Sequence, residues 1–266
     1  MSYKICSFNV LRSVRGDDTD REFYGFINDL IRNEGIDIFA FQEARDINFI
    51  KNLLRNLPHW WKGVPLYNSE LAFVWNSYRV KECSRQGEPS IFESYKSNSR
   101  LFREPAYGRF MPVDFYQNFE FRLINIHLVH GGNDFPQTIV ARKIECDLVK
   151  GEIFQKIDKP PPGKDGSFIS VFTVIPGDYN LNCDECNACG PENVMTFQYE
   201  ATTLKQKEEG YKSSYDHFSY DVEKNSSVPR MPPTRIDAVK DYFKGDFVQY
   251  RQKVSDHVPV KLEILR

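Results

Sequence analysis

Apolar runs in this chain keep ending on polar side chains, and that regularity constrains the fold more than any other feature. Residues 36–41 are a nearly unbroken apolar run ending on Gln42-Glu43. Residues 3–10 carry Asn9 near their end, and residues 119–129 carry His127 late. Residues 167–175 run into Gly177-Asp178-Tyr179-Asn180, and Asp256-His257 precede the run 258–264. Runs of this length and continuity read as strands covered on both faces. The ends of neighbouring strands in a layered sheet converge on one rim, where rigid elements place functional groups accurately.

Between the strands the apolar period changes. Residues 17–20 supply acidic caps for a helix whose Phe23, Phe26, Ile27, Leu30 and Ile31 fall at helical spacing, and Gly35 stops it. A second helix is expected over 47–57. A third begins near Pro136, with Val140, Ile144 and Leu148 as its apolar side. Residues 71–75 with Val80 predict a hairpin, and 106–115 with 119–129 predict two longer strands joined by a polar turn. The loop DKPPPGKDGS is excluded from helix and inner strand because proline has no amide donor. Residues 183–233 are polar and rich in turn-formers, whereas 236–243 and 258–264 are expected as closing strands. Strands and hairpins interleaved with helices predict sheets covered by helices.

A chain of 266 residues, 41% hydrophobic, can fill one large core or two ordinary ones. Its formal charge of −2 provides no overall basic field of the kind that announces nucleic-acid binding, although a local groove can still be basic. The opening MSYKICSFNV lacks the regions of a signal peptide and no run reaches the length of a membrane span, so the expected location is cytoplasmic. Six cysteines in a chain this long do not form a disulfide framework.

Taken singly, the polar residues have ordinary readings. Asn9 suits a turn, Glu43 a helix cap, and His127 a satisfied buried histidine. Asp237 in RIDAV suits an exposed strand, and Asp256-His257 a turn. Arg109, Arg122, Arg142 and Lys143 read either as a face for a polyanion or as a solvated surface. Cys183, Cys186 and Cys189, spaced Cys-x₂-Cys-x₂-Cys, admit three readings. They are free thiols, or a structural Zn²⁺ site completed by a distant ligand such as His217, or an iron–sulfur site whose fourth cysteine would fall at Asn193.

Taken in order, FNV around Asn9, FQE ending in Glu43, NIHL with His127, GDYN, RID with Asp237 and SDHVP with His257 resemble the endonuclease/exonuclease/phosphatase (deoxyribonuclease I-like) superfamily. The motifs run from the first strand to the last. The resemblance implies an α/β fold, a four-layer αββα sandwich in one domain over 1–266, with a Cys-containing loop insert at about 183–193. LFREPAYGRF resembles the stretch of deoxyribonuclease I in which an arginine contacts phosphate, which implies substrate-binding roles for Arg103 and Tyr107 beside Asn9. NIHLVHGGND is similar to the catalytic subunit of cytolethal distending toxin, a nuclease of the same fold. PRMPPTRID departs from the apurinic endonucleases, which carry a tryptophan and asparagine-rich stretch there.

Hydrolysis of a phosphodiester sends water at a phosphorus shielded by negative oxygens, and a divalent cation relieves that shielding. The resemblance implies that Glu43, Asn9 and Asp256 hold Mg²⁺ (or Mn²⁺ or Ca²⁺), their oxygens being the hard donors that ion prefers. It implies His257 polarised by Asp237 as general base, with Asp178 and Asn180 orienting the water or holding a second metal. His127, partnered by Glu70, would stabilise or protonate the leaving oxygen. The implied activity is a DNA endonuclease leaving 5′-phosphate ends. The alternative is a phosphatase or phosphodiesterase acting on inositol phosphates or phospholipids.

Overall fold

The computed structural model describes residues 2–12, 17–45, 48–66, 70–83, 91–93, 101, 103–113, 119–130, 136–159, 170–225, 229 and 231–265. The first part of the chain forms β1 (Ser2–Arg12), α1 (Asp17–Glu34), β2 (Ile38–Ala44), α2 (Phe49–Arg55), β3 (Trp61–Leu66), β4 (Leu71–Asn76), β5 (Val80–Glu82), β6 (Ile91–Glu93) and β7 (Ala106–Pro112). Next come β8 (Phe119–His127), α3 (Pro136–Leu148), a π-helical turn over Val149–Ile153, α4 (Phe154–Ile157) and β9 (Ser170–Asp178). The remainder forms α5 (Cys183–Asn187), β10 (Val194–Phe197), β11 (Asp216–Asp221), α6 (Val222–Asn225), β12 (Thr234–Arg235), α7 (Ala238–Phe243), α8 (Phe247–Lys253) and β13 (Val260–Leu265).

The strands make two mixed sheets, one in the order β12-β13-β1-β2-β4-β3 and the other β10-β11-β9-β8-β7-β5, with β6 also on β7. Each sheet is antiparallel except for a central parallel pair, β1 with β2 and β8 with β9. The two pairs lie against each other, β1 on β9 and β2 on β8.

Alternation along each strand sorts the side chains between three cores. Phe8, Val10, Phe39 and Phe41 point outward beneath α1, α2, α7 and α8. Ile124, Ile126 and Ile175 point outward beneath α3, the π turn and α5. Tyr3, Ile5, Ile38, Ala40, Phe121, Leu123, Phe172, Val174, Phe218 and Tyr220 point inward, filling the space between the sheets. Helices thus cover both outer faces, giving the expected αββα layering. Covering both faces of the central strands is why their sequences are apolar at consecutive positions.

Continued at period two, the inward series turns polar at one rim. Asn9 and Gln42 follow it in β1 and β2, Asn125 and His127 in β8, Asp178 in β9 and Asp216 in β11. All of these are at least nine-tenths buried. Gln42 Nε2 donates to Asn125 Oδ1 at 2.7 Å, and Asn125 Nδ2 donates to the carbonyls of Phe41 and Ala72. This buried amide pair ties β2 to β8 just below the rim. Gly177 allows β8 and β9 to approach there, since a Cβ on it would stand 2.3 Å from the Ile126 carbonyl oxygen.

Several sequence expectations require correction. Residues 236–243 are mostly helix, not strand, because Asp237 caps α7 by accepting from the Lys240 amide. The polar stretch 183–233 contains β10 and β11, and β3 and β6 were not anticipated. Helix α3 buries Leu148 as expected but not the rest of that side: Val140 and Ile144 are 56% and 43% exposed while Arg142 and Glu145 are buried. The reason is polar, since those two side chains have backbone partners inside. Arg109 and Arg122 do not face a polyanion either; both grip Glu120, buried on the outer face of the second sheet. Among the described residues no helix is long and apolar enough to cross a membrane.

Candidate active site

Asp178 is the hub of the rim. In the second sheet it pairs in register with His127 on one side and Asp216 on the other, so three ionisable side chains form one row across β8, β9 and β11. Its Oδ2 accepts from Asn9 Nδ2 at 2.9 Å, reaching across to the first sheet. The same oxygen lies 3.7 Å from His127 Nε2 and 3.8 Å from His257 Nε2. Its Oδ1 accepts from the Asn180 amide at 2.9 Å. Burial, reinforced by Asp216, lifts the Asp178 carboxyl to about 6, although His257, Asn9 and Asn180 oppose the shift.

His257 sits in the loop before β13, anchored where Ser255 Oγ donates to the Asn9 carbonyl and Tyr250 donates to the His257 carbonyl. Its Nδ1 is 2.8 Å from Asp216 Oδ2. Burial alone would discharge the imidazole, but Asp216 and Asp178 outweigh it and hold His257 protonated well above its usual range. Asp237, the carboxylate expected in this role, instead receives the Tyr211 hydroxyl and caps α7. Asp216 went unrecognised because its strand is polar. The available signal was Asp216-x-Phe218-x-Tyr220, an alternation with its acid in line with two core aromatics.

His127 behaves oppositely to His257. Burial, then the neighbouring charges of Arg103 and His257, push it well below the usual histidine range, so it is neutral. The Arg103 guanidinium lies 2.7 Å from each ring nitrogen. Glu70 is not its partner: that carboxylate turns to Arg45, 3.0 Å away. Tyr107 is buried in the apolar cluster beneath α3 and the π turn.

Glu43 adopts φ +55°, a left-handed conformation costly for a residue with a Cβ, and Asn180 adopts +49°. That twist breaks the strand alternation and brings Glu43 Oε1 to 3.2 Å from Asn9 Nδ2 and 3.7 Å from His127 Nε2. Asp256 Oδ1 is buried without a hydrogen-bond partner among the described residues, 4.0 Å from His257 Nε2. His130, absent from the sequence expectations, places Nδ1 3.1 Å from Asn180 Oδ1. Asp178, Asp216 and His257 are the one set of three metal-ligating side chains among the described residues whose ligand atoms lie within 4.8 Å of one another.

The sulfurs of the three clustered cysteines each face a backbone carbonyl. Cys183 Sγ faces the Thr196 carbonyl at 3.0 Å, and Cys189 Sγ faces the Glu185 carbonyl at 3.2 Å. Cys186 and Cys189 share hydrogen-bond contact with Cys146, which sequence spacing could not place there. Buried Lys150 occupies the space beside them and donates to the Cys186 carbonyl at 2.7 Å. His217, the conceivable fourth ligand, has its ring nitrogens 2.9 Å from the carbonyls of Gln198 and Leu181.

No family model matches the sequence, and no curated protein matches it either. Solved structures match throughout, and they define the fold as that of the endonuclease/exonuclease/phosphatase superfamily. An endonuclease/exonuclease/phosphatase family protein from Bacteroides thetaiotaomicron superposes with a TM-score of 0.65 at 18% identity, over 99% of this chain and 95% of that one. TDP2 from D. rerio, complexed with single strand DNA product, gives 0.67 at 14% identity over 100% and 99%. A mannosyl-6-phosphatase from B. thetaiotaomicron gives 0.63 at 18% identity over 99% and 100%.

Proposed function

We propose that this chain is a divalent-metal-dependent phosphoesterase acting on DNA phosphodiester bonds, an endonuclease that leaves 5′-phosphate ends. The observation that carries the reading is the pair of buried histidines on either side of Asp178, one protonated through Asp216 and the other kept neutral beside Arg103. Two groups of one type with opposite protonation preferences supply distinct electrostatic roles at a single phosphorus, a cation for a phosphoryl oxygen and a neutral ring beside the leaving oxygen.

The rim suits a hard cation. Glu43 is partly exposed, and Asp256 Oδ1 has a lone pair that no donor among the described residues uses. These oxygens, with Asn9, Asp178 and Asn180 alongside, would hold Mg²⁺ or a similar ion. Such an ion, when bound, neutralises charge on the phosphoryl oxygens. Asp178, a carboxylate above about pH 6, orients the attacking water and takes its proton. His257, protonated and fixed by Asp216, donates a hydrogen bond from Nε2 to a phosphoryl oxygen. Neutral His127, with Arg103 against it, stabilises the leaving oxygen, which takes its proton from solvent water. The buried Tyr107 supports the strand that follows Arg103.

A phosphatase is the second reading, because the same catalytic set serves phosphomonoesters, including inositol phosphates and phospholipid headgroups. It is favoured by the burial of Arg109, Arg122 and Arg142, which removes the expected polyanion track. Supercoiled plasmid and an inositol phosphate, each incubated with Mg²⁺ and with EDTA, separate the two. Nicking that needs Mg²⁺ and leaves 5′-phosphates supports the first reading. Phosphate release without nicking supports the second, and neither activity would sink both.

A further inference from the structure

Helix α3 presents a fully buried carboxylate where a core helix ordinarily presents an apolar side chain. Glu145 is 0% exposed while Val140 and Ile144, on the same helix, face outward. An ionised group is taken out of water at considerable cost unless hydrogen bonds compensate. Its compensating partners are specific. Glu145 Oε1 accepts from the backbone amide of Arg103 at 3.0 Å, and Oε2 accepts from that of Val129 at 2.8 Å. Arg103 is the residue against His127, and Val129 lies between His127 and His130.

Arg142, one turn earlier, completes the arrangement. Its Nε donates to the Val129 carbonyl at 3.0 Å and its Nη1 to the Asn180 carbonyl at 2.9 Å. Both backbone groups of Val129 are therefore held from one helical turn. That turn joins three segments remote in sequence, which carry Arg103, His127 with His130, and Asn180. A packed apolar side chain at 145 would fill the volume but would not fix the Arg103 amide.

We infer that Glu145 is a positioning residue of the site, acting through the backbone of Arg103 to set where its guanidinium meets His127 and the substrate. The inference rests on the phosphoesterase reading above for its catalytic consequence, and on the hydrogen-bond geometry for its structural one. A displacement of about 1 Å at such a group costs on the order of 10²-fold in rate.

A double-mutant cycle tests it, with bis(p-nitrophenyl) phosphate and Mg²⁺ in the full-length chain. Glu145→Gln keeps the size but turns an amide donor towards one of the two backbone donors. Arg103→Ala and Glu145→Gln should each lower kcat/KM by roughly 10- to 100-fold. In the Arg103→Ala background, Glu145→Gln should add less than about a twofold loss, because non-additivity is the signature of residues acting through one another. A fully multiplicative loss would overturn the inference, since general support of the fold is indifferent to Arg103. Should Glu145→Gln not fold, Glu145→Asp keeps the charge but is too short to span both amides, and the same cycle applies. Backbone hydrogen exchange gives a readout independent of turnover. In the variant, the Arg103 and Val129 amides should exchange at least about tenfold faster while those within β8 and β9 keep their protection. Unchanged protection at Arg103 and Val129 would overturn the inference even if the wild type hydrolysed no phosphoester, an outcome that would separately end the functional reading.

Discussion

The stretch GDYNLNCDECNACG divides at Asn182, and its two halves handle burial in opposite ways. In the first half, Asp178 and Asn180 are buried beside groups that can exchange protons or charge, and Asn180 is held in a left-handed conformation. Burial lifts the Asp178 carboxyl only to about 6, because Asn9, Asn180 and His257 stabilise the anion. In the second half, the Asn182–Glu185 capping box starts a relaxed helix and the thiols pack as small apolar groups. There, the hydrogen bond to Cys146 and burial push the Cys189 thiol far up, while burial raises Cys183, so both stay protonated. Similar burial therefore leaves a carboxyl that titrates near 6 in one half and protonated thiols in the other. What differs is the supply of charge-compensating donors around each group.

The largest expected effect lies in the first half. Asp178→Asn, His257→Ala and Asp216→Ala should each lower phosphoester turnover by on the order of 10²- to 10⁴-fold. Asp237→Ala should change it less than about threefold, a surface-cap effect. Steady-state kinetics on the four variants decides between the two aspartates, and a large loss at Asp237 with little at Asp216 would reverse the assignment.

A smaller effect concerns stability against pH. The Asp178 carboxyl has a higher pKa folded, about 6, than its ordinary 3.8. The folded state therefore binds this proton more tightly, so its contribution is greatest below about pH 4 and declines as pH rises towards 6. His257, also raised, contributes in the same sense, its share falling as pH rises above its unfolded value. Measured in EDTA, Asp178→Asn should gain stability relative to wild type across pH 4 to 6, by up to about 3 kcal/mol. A melting-temperature difference that stays flat over that window would break this account of the first half.

The second half should show the reverse profile, with stability altered and catalysis spared. Cys186→Ser replaces a thiol packed at 0% exposure with a hydroxyl that needs a partner, and should cost roughly 1–3 kcal/mol. Activity per folded molecule should stay within about twofold, a surface-independent packing change. In the native protein Cys146, Cys186 and Cys189 should react with a thiol reagent only as fast as the region opens. Rapid modification of these thiols would place the second half among the reactive sites.

Much of the site was legible in the chain because it lies on strands whose apolar runs are long. Asn9, Glu43, His127, Asp178 and His257 each close or border such a run, and the structure gathers them at one rim. Glu70 and Asp237 were misplaced for a shared reason. Each was assigned through the family resemblance, from its place in the order of motifs along the chain, whereas the carboxylate that reaches His257 is selected by strand pairing. The α3 assignment failed similarly: a period of 3.6 fits Val140 and Ile144 as well as it fits Arg142 and Glu145, and hydrophobicity alone favoured the wrong face.

Local order in the chain determined the strands, the layered arrangement and the polar residues at strand ends, since period-two alternation and capping act between residues a few positions apart. Only the tertiary structure decided that β11 lies beside β9, and hence that Asp216 rather than Asp237 holds His257. It alone brought Cys146 to the other thiols and put Glu145 under Arg103. The physical reason is that a buried charge takes its partner from whatever the packing delivers, and packing joins residues whose separation along the chain carries no trace of their contact.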